Sequence, residues 1–165
     1  MAVLDLVRFP DPRLRQPAEP VTVFDGALAD RAQDLLDTMR AAPGIGITGP
    51  HAGLMIRLVV LELPEATPAF YVNPRLLWAS PEMGRHPEGS VSMPGVVEEV
   101  ERPARVRVAY QGLDGAAHEV EADGLLSVCL QHEIDQLDGI FWIQRLSRLR
   151  RERVVKKYEK LLKAG

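Results

Sequence analysis

The segment that most constrains this chain is DGLLSVCLQHEIDQLDG, residues 123–139. Leu126, Cys129, Leu130, Ile134 and Leu137 recur at three- and four-residue intervals, which sets them along one side of a helix, and Gly139 supplies a terminator. His132, Glu133 and Gln136 within it read His-Glu-x-x-Gln. In His-Glu-x-x-His a helix presents two imidazoles one turn apart with a carboxylate beside them, the arrangement that holds a metal ion and moves protons. Here an amide stands at the second imidazole position.

The rest of the chain divides into short, strongly punctuated elements. VRFPDPRLRQPAEPV carries four prolines and predicts an extended arm or loop. Asp25 is a helix N-cap, followed by Leu28, Ala32, Leu35, Leu36 and Met39 at helical spacing. APGIGITGPHAG reads as a loop whose glycines let backbone approach another group closely. LMIRLVVLEL and AFYVNPRLLW are strand-like, SPEMGRHPEGSVSMPG reads as a second loop, and ARVRVAYQGLDGAAHEVEA predicts a hairpin turning at GLDG. Ser147 caps a last helix running to about Lys163, with Leu149, Val154, Val155, Tyr158, Leu161 and Leu162 on its apolar side. Helices segregated from largely antiparallel strands predict an α+β fold, and with no repeat or linker residues 1–165 form one domain.

Composition narrows the class. The 165 residues suffice for one core, and no run approaches the ~18 apolar residues of a membrane span. Charge and proline come too early in MAVLDLVRFPDPRLRQP for a secretory signal. The single cysteine excludes an internal disulfide framework and fits a reducing compartment, so a cytoplasmic location is expected. From Arg145 onward nine Lys/Arg face two Glu, a local +7 that leaves −10 for the preceding residues given the overall −3. Such a segment is either a solvated helix face or a surface for a polyanionic partner or a membrane surface.

VNP, GIGITGPH, EGSVSMPG and CLQHEIDQLDGIFWIQRL occur in the order and at the separations seen in peptide deformylases, and the opening VRFPDPRLR resembles that family's arm. The resemblance covers nearly the whole chain. It implies antiparallel sheets around a central helix carrying the His-Glu-x-x-Gln motif, with a C-terminal helix. It also implies a reaction, the metal-dependent removal of the formyl group from formyl-methionyl nascent peptides. In the family one cysteine and two histidines hold the metal, a glutamate moves the proton, and a loop glutamine helps to stabilise the oxyanion. Its C-terminal helix docks on ribosomal RNA in some bacteria, which makes residues 145–163 a candidate ribosome contact.

Matched position by position, the resemblance places His132 at the first histidine ligand and Glu133 at the general base. Ile45, Gly46, Glu88, Val91 and Leu125 fall at peptide-binding positions. Ser90 stands at the cysteine ligand, Gln136 at the second histidine and His51 at the oxyanion glutamine. A thiol with a reference pKa of ~8.5 becomes a soft anionic ligand on a metal, whereas a serine hydroxyl stays neutral. An amide oxygen binds zinc or iron far more weakly than imidazole. The ordinary metal site is therefore expected to be lost, leaving a module that binds peptide N-termini.

Two other readings stay open at this level. His51 and His132 would rebuild a two-histidine site for iron, zinc or nickel, with Glu133 as base on a bound water. Alternatively, the basic helix is the working surface of a ribosome-associated protein. Ser90 beside histidines would suggest a serine hydrolase, but no nucleophile-elbow pattern surrounds it. Cys129, one turn before His132, reads as core packing.

Overall fold

The computed structural model describes residues 2–165. Helix α1 (Gly26–Ala41) begins where expected, with the Asp25 carboxylate accepting from the Leu28 N–H at 3.1 Å. There follow β1 (Gly46–Thr48), β2 (Leu58–Leu61), β3 (Ala69–Ala79), β4 (Met83–Ser90), β5 (Met93–Pro103), β6 (Val106–Gln111) and β7 (Ala117–Ala122). The chain ends in α2 (Gly124–Leu137) and α3 (Arg148–Ala164), the latter capped by Ser147. Short 3-10 turns occupy Pro12–Arg15, Pro50–Ala52 and Trp142–Arg145.

All strand pairs are antiparallel, in a five-stranded sheet ordered β1-β2-β3-β6-β7 and a separate β4-β5 ribbon. Strand β2, Leu-Val-Val-Leu, is buried on both faces. Leu58 and Val60 pack with Leu35 and Met39 of α1, while Val59 and Leu61 pack with Leu130, Ile134 and Leu137 of α2. A third cluster joins Met93, Val96 and Val100 of β5 to Val154 and Tyr158 of α3. No helix among the described residues is long and apolar enough to cross a membrane.

Two expectations need correction. The stretch 80–95 is not a loop, because most of it is strand, β4 and the start of β5, paired from Met83↔Pro103 to Ser90↔Met93. Its sequence hides this: in a two-stranded ribbon proline is tolerated, and the buried inward position is the carboxylate of Glu88. Likewise the glycine-rich stretch 42–53 contains the edge strand β1, too short for an alternating pattern to show.

The ribbon is joined to α2 by charge. Arg102 of β5, 5% exposed, donates to both oxygens of Glu88 at 2.6 and 2.9 Å and to Asp135 of α2 at 2.8 Å. Arg145 completes the Asp135 carboxylate with a second fork at 2.7 and 2.8 Å. Burial alone would raise the Glu88 carboxyl, but hydrogen bonds from His132 and Arg102 outweigh it and hold the group down at about 2.

Removing the guanidinium leaves the buried Glu88 carboxylate with His132 as its remaining partner and Asp135 with Arg145. Arg102→Met is expected to destabilise the fold by ~3–5 kcal/mol in urea titrations at neutral pH. Because Glu88 titrates lower in the folded chain than its ordinary 4.5, its contribution is complete above that value and is lost as pH falls toward about 2. The gap between wild type and variant should therefore shrink across that acid window. A constant gap would contradict this assignment.

Candidate functional site

Helix α2 departs from a simple amphipathic pattern: every residue from Leu130 to Leu137 is buried, polar ones included. Polar groups buried this way need partners. Gln131 donates to the Pro103 carbonyl and to Ser127 Oγ at 2.9 and 3.0 Å. Asp135 takes Arg102 and Arg145, and His132 Nδ1 lies 2.8 Å from Glu88 Oε1. Gln136 donates through Nε2 to the Leu14 carbonyl at 2.8 Å. Among them, Glu133 Oε2 is fully buried without a partner.

That oxygen belongs to a residue lining a cavity of about 420 Å³ between α2, β1 and the β4-β5 ribbon. Of the sequence candidates, Ile45, Gly46, His51, Glu88, Ser90, Val91, Leu125, His132 and Glu133 all line it. Gln136 does not: its amide is committed to the Leu14 carbonyl of the N-terminal arm. Glu88 lines the cavity too, but Arg102 and His132 occupy both its oxygens, so it holds neighbours in place rather than offering a free acceptor. Cys129 is also at the wall, and burial, with the charges of Glu133 and Glu88, pushes its thiol up to about 12.

His51 is 1% exposed, and the Thr48 backbone N–H donates to its Nδ1 at 2.9 Å. Burial, reinforced by the charge of His132, pushes the imidazole down to about 3, so it is neutral at physiological pH. A neutral ring accepting at Nδ1 carries its proton on Nε2. Nε2 is buried without a partner, making it a hydrogen-bond donor and not a lone pair for a cation. Burial lowers His132, but the hydrogen bond to Glu88 and the charges of Glu133 and Glu88 prevail, and its value is raised. Glu133 lies 3.8 Å from His51 Nδ1 and 3.8 Å from His132 Nε2, and burial lifts its carboxyl to about 7.

These donors do not fit the ion that the sequence resemblance implies. Among the described residues no group of three or more His, Cys, Asp or Glu is placed to hold a metal ion. The cavity wall instead carries an alcohol, a buried neutral imidazole, an imidazole paired with a carboxylate, and a carboxylate near neutrality.

The backbone of β1 is positioned for a different task. Glu62 N–H donates to the Ile45 carbonyl and Gly49 N–H to the Leu58 carbonyl, so the antiparallel alternation turns Gly46 and Thr48 away from β2. Thr48 N–H is taken by His51, and the Gly46 peptide groups face outward along the sheet edge. A Cβ at Gly46 would sit 2.9 Å from Leu61 Cδ2 and 3.0 Å from Glu133 Oε1, so only glycine lets this edge come so near the carboxylate. Sequence reasoning missed Thr48, Arg102 and Asp135. Arg102 falls in an alternating stretch of β5 whose inward set, Val96, Val100 and Arg102, marks it as buried.

The polypeptide deformylase family model matches residues 3–152. A peptide deformylase-like protein of Brucella melitensis is 67% identical over 162 residues, covering 98% of this chain and 99% of its own. One from Bradyrhizobium diazoefficiens is 63% identical over 162 residues, covering 98% and 95%. A solved peptide deformylase from Legionella pneumophila superposes with a TM-score of 0.93 at 33% identity, covering 99% of this chain and 97% of that one. The chain belongs to the polypeptide deformylase family, with the family's fold over essentially its whole length.

Proposed function

We propose that this chain binds the N-terminal end of a peptide in the cavity beside α2, as a strand added to β1, without metal-dependent removal of a formyl group. The observation that carries this reading is the donor set. Ser90 replaces a thiolate, Gln136 is bonded away to Leu14, and His51 presents a proton rather than a lone pair. The outward edge at Gly46 and the apolar walls at Ile45, Val91 and Leu125 support extended-peptide binding. The single cysteine supports a cytoplasmic setting, where nascent N-termini are found.

Protein purified without chelator is expected to hold well under one equivalent of iron, nickel or zinc and to release no formate from formyl-Met-Ala-Ser, while binding that peptide saturably. Stoichiometric metal with hydrolysis would overturn the loss of turnover, and absence of peptide binding would overturn the module. The triple variant His51→Gln, Ser90→Cys, Gln136→His is expected to gain metal and measurable hydrolysis. If it gains neither, the cavity rather than its ligands has changed.

One observation favours a second surface. Arg153, Lys156, Lys157, Lys160 and Lys163 follow one another at helical spacing along α3, and none has a carboxylate within 4 Å among the described residues. Such a stripe suits the phosphates of ribosomal RNA. Co-sedimentation with ribosomes is expected at low salt and should fall steeply as salt rises. No retention at low salt removes this reading.

A further inference from the structure

A second cavity, of about 440 Å³, lies away from α2 between the N-terminal arm, the Trp142–Arg145 turn and α3. Nothing in the proposed peptide site uses it. Its size falls within the ~300–1,000 Å³ common for small-molecule sites. Its floor is core, with Leu14 and Phe141 at 1% and 2% exposure, and the Phe9 ring is stacked on Phe141 with centroids 5.6 Å apart. Val155 of α3 closes one side.

The rim is cationic. Arg15 and Arg151 both line the cavity, and neither has a carboxylate within 4 Å among the described residues. Arg151 is fixed in place, donating Nε to the Ile143 carbonyl and Nη2 to the Leu146 carbonyl, each at 3.2 Å. Those carbonyls orient the guanidinium without cancelling its charge. Asp11, the one acid at the wall, already pairs with Arg13 at 2.8 Å.

The walls are also preformed. Gln136 Nε2 holds the Leu14 carbonyl at 2.8 Å, and the Ala18 N–H donates to the Leu137 carbonyl at 2.8 Å. Gly139, at φ +79°, lets the end of α2 come so close that a Cβ there would lie 2.8 Å from the Arg15 carbonyl oxygen. Thus the amide at position 136 builds this second cavity while staying out of the first.

The geometry points to a binding site for a small amphipathic monocarboxylate, its apolar body between Phe9, Leu14, Phe141 and Val155 and its carboxylate between Arg15 and Arg151. An apolar slot with two uncompensated guanidiniums matches a ligand that is anionic at one end only. A neutral or cationic ligand of the same shape would leave those charges facing it unpaired.

Octanoate titrated into the full-length protein, followed by amide and methyl NMR shifts, tests this directly. The expected result is saturable one-to-one binding that perturbs Leu14, Ile143 and Val155, with no binding of octylammonium. Val155→Trp should abolish binding by filling the slot, and Arg15→Ala, at an exposed position, should weaken it about tenfold. Should Val155→Trp fail to fold, Arg15→Ala decides alone. No saturable binding, shifts confined to Ile45, Val91 and Leu125, equal binding of octylammonium, or unchanged affinity in either folded variant would overturn the site.

Discussion

Arg102 stands where the β4-β5 ribbon meets α2, and three of its donors reach two carboxylates from two different elements. The ribbon shares no backbone ladder with the five-stranded sheet, so its placement over α2 depends on this charge bridge, on the Gln131 hydrogen bond to Pro103 and on the apolar contact of β5 with α3. Glu88 then passes the constraint to His132, and Asp135 passes it to Arg145. A buried pair of this kind is costly to desolvate and sensitive to loss of either member. Its return is geometric: the cavity walls and the His132 ring are fixed by one guanidinium.

Within that frame the chain keeps the family's fold. The outward sheet edge at Gly46 and the carboxylate of Glu133 are in place, as is the supported imidazole of His132. The altered positions do not act alike. Ser90 remains at the wall, where its hydroxyl oxygen accepts the Ser92 N–H at 3.0 Å. His51 is locked by the Thr48 N–H, and Gln136 has been recruited to the N-terminal arm. All three side chains thus have hydrogen-bond partners, and moving His51 or Gln136 toward a cation would break a buried hydrogen bond.

Much of this was legible beforehand, and where it was not the reason is physical. The apolar spacing of α1, α2 and α3 and the capping by Asp25 and Ser147 gave three helices near their observed limits. The hairpin at GLDG was equally plain. Strand β4 was hidden because Met-Gly-Arg-His-Pro-Glu-Gly-Ser has no apolar alternation, its inward position being an ion pair. At the site, motif order placed His51, Ser90, His132 and Glu133 around one cavity. Side-chain direction could not be read the same way: Gln136 turns to a carbonyl more than a hundred residues earlier, a contact no local pattern encodes.

The proton of His51 decides whether this cavity can hold a cation. Long-range ¹⁵N–¹H correlation of the histidine rings reads it directly. His51 should show a bare Nδ1 and a protonated Nε2, remain neutral as pH falls until near its depressed value of about 3, and stay unchanged on addition of one equivalent of zinc. A ring protonated at Nδ1, or an Nε2 resonance that moves to a metal-bound position with stoichiometric zinc, would contradict this assignment.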